Sequence, residues 1–118
     1  MTISKTKEEY AMSNSITKEK KNQTLADRLE KMARICRELP ESDICGTLTN
    51  CMMHWNEIHV DSAPTVRRYA DVHGLTPDYI SREDDTYPWE YRVFDDDIKV
   101  FCIMTDEEKE AWEKNEAI

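Results

Sequence analysis

Two glycines, Gly46 and Gly74, are all that the 118 residues hold, which leaves no glycine-rich turn to cradle a phosphate group. Long hydrophobic runs are missing as well. No stretch approaches the roughly 18 apolar residues that cross a membrane, and Met1 is not followed by the apolar core of a secretory signal, so a cytoplasmic protein with no membrane partner is expected. Cysteine is sparse, and three of Cys36, Cys45, Cys51 and Cys102 lie in or beside apolar runs, where a thiol serves as a small hydrophobe. Free thiols are therefore expected. Cys45, Cys51, His54 and His59 stand close in sequence but lack the tight ligand pairs of zinc sites, and the two histidines would face opposite sides of a strand. Neither a metal nor another cofactor is expected. No local signature accompanies any cysteine as a nucleophile, and exposed carboxylates lack the buried member that an acid–base pair needs. The expected class is a non-enzymatic protein.

Charge is what the chain has in abundance, with a net value of −9 and 35% charged residues. The segment from Glu83 to Glu116 carries thirteen acidic residues against Arg92, Lys99, Lys109 and Lys114, a local balance equal to the whole. Residues 1–23 have the opposite sign, with five lysines against three glutamates, and their apolar residues are spaced too irregularly for a packed face. They read as a flexible polar arm. Residues 24–118 then form a single domain with one modest core.

Helix signals are clear at three places. Thr24 and Asp27 have the spacing of a capping box, and Leu25, Leu29, Met32, Cys36 and Leu39 recur at helical intervals until Pro40 stops the element. Ser62 precedes Ala63 and Pro64 as an N-cap, and Gly74 with Leu75 closes that second helix. Thr105 and Glu108 form another capping box before a short acidic helix through Trp112. Between these helices, residues 54–60, 78–82, 89–94 and 98–104 read as strands, the last two joined through Asp95, Asp96 and Asp97 as a β-hairpin. The first half of residues 41–53 fits both helix and extended chain. The order suits an α+β fold, a small antiparallel sheet with a hairpin in the C-terminal half and helices on one face.

Residues 66–83 resemble a helix-turn-helix. Ala70, Gly74 and Ile80 take its small, turn and core spacings, and the run from Gly74 to Arg82 resembles the turn and recognition helix. The resemblance implies that Thr76 caps the recognition helix and that Asp78, Tyr79 and Arg82 reach the groove of DNA, in a small DNA-binding regulator. His73 and Glu83 depart from it, standing where apolar residues belong. An ordinary helix leading into a strand explains the same residues, and phosphate repulsion opposes DNA binding by so acidic a body.

The leading expectation is an interaction surface. Glu83, Asp84 and Asp85 with Asp95, Asp96 and Asp97 occupy two loops of the hairpin region, and Asp106, Glu107 and Glu110 follow on the C-terminal helix. Carboxylates held on a rigid frame can stand in for phosphates before a basic groove, with Trp89, Tyr91 and Trp112 as anchoring aromatics. In size and composition the chain resembles accessory proteins of phages and mobile elements, among them inhibitors of CRISPR and restriction enzymes. That resemblance implies a basic, nucleic-acid-handling protein as partner, with no direct contact to nucleic acid. A homo-oligomeric structural component, joined through a sheet edge, is the other alternative.

Overall fold

A computed structural model of the chain describes residues 24–50 and 55–116. The expected arm, residues 1–23, lies outside the described residues, as do Cys51 and His54. The chain divides into two compact units between Lys31 and Met32. Helix α1, Leu25–Glu38, starts in the first. There Thr24 N–H donates to Asp27 Oδ2 at 3.1 Å and Asp27 N–H to Thr24 Oγ1 at 3.0 Å, the reciprocal capping box that the spacing predicts.

The second unit is built on a five-stranded sheet. Its strands are β1 (Ile44–Asn50), β2 (Trp55–Val60), β3 (Asp78–Ser81), β4 (Trp89–Asp95) and β5 (Ile98–Met104), in the spatial order β1-β2-β5-β4-β3. Helix α2 (Ala63–His73) follows β2, and α3 (Asp106–Glu116) follows β5. The fold is α+β with helices on one face, and one pairing in the sheet is parallel, that of β2 with β5. The long crossover through α2, β3 and β4 makes this possible, since only antiparallel neighbours can be joined by a tight turn. The open stretch of sequence resolves into a 3-10 turn at Glu41–Asp43 and the edge strand β1.

Strand alternation sorts the side chains onto two faces. Ile58, Val60, Tyr91, Val93, Ile98, Val100, Cys102 and Met104 point to the helical side and are buried there with Met32, Ile35 and Leu39 after the start of α1, and Val66, Tyr69 and Ala70 of α2. Ile35 is a core residue that the expected stripe passed over, whereas Leu25 and Leu29 of that stripe are exposed. The other face carries Glu57, His59, Glu90, Arg92, Phe94, Lys99 and Phe101. Lys99 Nζ lies 2.8 Å from Glu90 and 3.3 Å from Glu57, and the His59 ring stacks on Phe101 at 4.8 Å.

The helix-turn-helix resemblance does not survive. Leu75 N–H returns to Ala70 C=O at 2.8 Å and Gly74 takes a left-handed φ of 66°, which ends α2. Pro77 then disfavours helix at Thr76, and Asp78–Ser81 pairs antiparallel with β4. Where a recognition helix was implied, Asp78 accepts a bond from Arg92 Nε at 3.1 Å and Tyr79 donates to Glu116 at 2.8 Å. Sheet pairing satisfies every backbone group on one edge of this segment, which an exposed four-residue helix would not.

Glu116 fastens the last helix to the body. Its carboxylate accepts from the hydroxyls of Tyr91 and Tyr79 and from Arg67 Nη1. Partial burial alone pushes this carboxyl up, but the two hydroxyls and the guanidinium outweigh it and hold the group below its ordinary range. Burial, with the same carboxylate next to it, pushes the Tyr91 hydroxyl up to about 12.

Two stability predictions follow from these caps and bonds. A Cβ at either glycine would meet nothing within 4 Å, and only Gly74 has a positive φ, so Gly74→Ala should cost about 1 kcal/mol while Gly46→Ala leaves the urea midpoint unchanged or slightly raised. Equal midpoints for the two variants would contradict the cap. Glu116→Ala should cost about 1.5–3 kcal/mol at neutral pH, the range for hydrogen bonds to a charged group. Because the folded-state carboxyl is held low, its contribution is complete above the unfolded value near about 4.3 and is lost as pH falls through the folded value. Wild-type and variant midpoints should therefore converge in acid, and a gap that persists there would disprove the linkage.

Candidate protein-interaction surface

The acidic segment is not one field but two, at opposite ends of β4. Residues 82–88 connect β3 to β4 at one end, and Asp95, Asp96 and Asp97 turn the chain from β4 into β5 at the other. Seven residues of strand put roughly 20 Å between them. The acids expected in two loops of the hairpin region do stand in two loops, and strand length holds those loops apart.

The far turn has structural work of its own. Asp95 Oδ2 accepts the Tyr69 hydroxyl at 2.5 Å, tying the strand end to α2. Burial first, and this carboxylate second, push the Tyr69 hydroxyl up. Asp96 takes a φ of 56°, the left-handed position of the turn, which aspartate tolerates better than most residues.

The near end is where loop and helix meet. Arg82 N–H donates to Pro88 C=O at 2.7 Å and its guanidinium to Tyr87 C=O at 2.7 Å, closing residues 82–88 into a compact loop. Inside it Asp84 Oδ1 accepts the N–H groups of Tyr87 at 2.7 Å and Thr86 at 2.9 Å. The Tyr87 bond above all holds the Asp84 carboxyl below its ordinary range. Glu83 and Asp85 flank it, both exposed.

Helix α3 begins beside this loop. Glu108 N–H donates to Thr105 Oγ1 at 3.0 Å and Thr105 N–H to Glu108 Oε1 at 2.9 Å, so its capping box forms as the spacing predicts. Asp106, Glu107 and Glu108 fill the first turn, where the positive end of the helix dipole favours them. Trp89, the residue that leads out of the loop, donates its indole N–H to Asp106 Oδ1 at 2.8 Å. Lys109 Nζ lies 4.4 Å from the Trp89 ring centre and 4.7 Å from that of Tyr79, and pairs with Glu113 at 2.8 Å. A shallow groove of about 420 Å³ results, with Trp89, Asp106, Glu107, Glu110 and Glu113 around Lys109.

Of the residues expected to bind a partner, Glu83, Asp84 and Asp85 stand in the loop that leads to Trp89, and Trp89, Asp106, Glu107 and Glu110 come together in this groove. Two of the expected aromatic anchors do not. Tyr91 is 1% exposed and belongs to the core, because its position in β4 faces the helices. Trp112 is half-buried against that core, its ring 6.1 Å from Tyr91 and inclined by 66°. Trp89 is the one expected aromatic that borders the acids. Lys109 escaped the sequence reading, although a lysine one turn ahead of Glu113 was a signal for the pair.

Among the described residues no helix is long and apolar enough to cross a membrane, and no three potential metal ligands are grouped. Compared with protein-family models, with curated proteins and with solved structures, the chain matches none of them, and its function must be argued from its own geometry.

Proposed function

We propose that the chain is a non-enzymatic interaction protein of the cytoplasm that binds a basic, nucleic-acid-handling partner through the surface made by residues 82–89 and α3. The observation that carries this reading is the Trp89–Asp106 bond, which joins the acidic loop to the acidic helix at a fixed distance. Carboxylates on a capped helix and a closed loop are already ordered, so little conformational entropy is lost when a basic groove takes them. Their concentration at one end of the sheet also steers a positive partner to that end. Trp89 supplies a flat apolar contact beside the charges, of the kind that dominates binding energy at interfaces. Blocking the groove of a restriction or CRISPR-type enzyme is the use such a surface would have.

The two-ended distribution of charge makes the test specific. Glu107→Lys should weaken retention of the partner in a pull-down from nuclease-treated lysate several-fold, whereas Asp97→Lys, an equal change of charge at the far end, should change it less than twofold. Binding by the wild type should fall as salt rises. Equal losses from both variants would point to net charge instead of this surface, and retention of no protein, or of nucleic acid alone when the nuclease is left out, would end the proposal.

A second reading, self-association, is favoured by Leu48, Phe94 and Ile80, which are 54%, 44% and 40% exposed on the sheet face opposite the helices. It predicts a concentration-dependent dimer in sedimentation that Phe94→Ser abolishes. A monomer at every concentration would exclude it.

A further inference from the structure

On the opposite side of α3 from the acidic groove lies a hollow of about 310 Å³, between the first turn of α2, the end of β5 and the helix itself. That volume is at the lower end for small-molecule sites, which run from about 300 Å³ upward. Pro64, Met104, Ala111 and Trp112 give it apolar walls, and Asp61 and Glu108 are the charged residues that line it. No lysine or arginine takes part in the lining.

Among the described residues neither carboxylate is paired with a lysine or arginine. Asp61 makes no side-chain hydrogen bond or ion pair among the described residues, and Glu108 uses Oε1 for its cap on Thr105. Their field reaches the floor of the hollow. The Cys102 thiol there is pushed up to about 12, by burial first and then by Glu108, Glu90 and Asp61, all of them negative. The start of α2 contributes the opposite sign, yet Pro64 has no N–H to offer and Asp61 stands directly before the N-cap Ser62. The balance at the rim is negative over an apolar interior.

We infer that this hollow binds a small organic cation, a protonated amine carried on an apolar body of about one aromatic ring. The ring would lie against Met104, Pro64, Ala111 and Trp112, and the ammonium would sit between Asp61 and Glu108. An anion of the same shape meets two carboxylates with no cationic partner, so the sign of the ligand's charge is the discriminating feature.

The test uses phenethylammonium and 3-phenylpropionate, similar in body and opposite in charge, followed by amide and indole N–H shifts in NMR titrations of the full chain. Phenethylammonium should give saturable shifts at Trp112 and Ala111, and 3-phenylpropionate should bind at least tenfold more weakly. Asp61→Asn should weaken the cation several-fold, and Ala111→Leu, which fills the hollow from a helical position that accepts leucine, should abolish the shifts. Equal binding of the two probes, no saturable shift, or shifts that survive Ala111→Leu would each overturn the assignment. Because Asp61 lies outside both residues 82–89 and α3, Asp61→Asn should retain the protein partner, and loss of one site can be told from loss of the other.

Discussion

Strand β5 has hydrogen-bonded neighbours on both edges, β2 in parallel and β4 antiparallel, and side chains packed on both of its faces. A one-residue slip in its register would exchange Ile98, Val100, Cys102 and Met104 for Lys99, Phe101 and Ile103 on the helical side. Lys99 would then sit among aliphatic side chains and lose Glu57 and Glu90, an outcome far costlier than any single lost contact. The alternation of this one strand therefore fixes which face the helices cover. It also fixes the direction in which the chain leaves at Met104, and so the place where α3 starts.

Helix α3 is in turn held at both ends, by the Thr105–Glu108 box at its start and by Glu116 at its close. Its interior carries Trp112 against the core and little else that is apolar. A helix of this composition would be marginal alone, since short isolated helices do not repay their nucleation. Docked between two fixed ends, it presents carboxylates along one side and bounds an apolar hollow on the other. The same eleven residues thus serve two surfaces of different chemistry.

Much of this was legible in the sequence because the signals are local. Both capping boxes depend on residues three apart, the Gly74–Leu75 closure on two neighbours, and the hairpin on alternation around an aspartate turn. What stayed hidden depends on distant partners. Strand β1 has weak propensity at Gly46 and a helical spacing of Ile44 and Leu48, and is decided by pairing with β2. Tyr91 resembles an exposed aromatic among charges until the pairing of β4 shows which way it faces. Ile35 and Leu29 both suit a helical stripe, and only packing makes Ile35 the buried one. The gap between the two acidic loops was legible in principle, since the strand that separates them was already recognised.

The edges of the sheet have a consequence for how this protein behaves when crowded. Strand β3 is four residues long, with Pro77 before it and Asp78 at its start. Strand β1 is longer, but its register shifts between Ile44 and Gly46, so the run of outward donors and acceptors is kinked near its start. A foreign strand approaching from either side finds a short or irregular template. Addition of further strands, and with it growth end on end into fibres, is therefore disfavoured at both edges of the sheet.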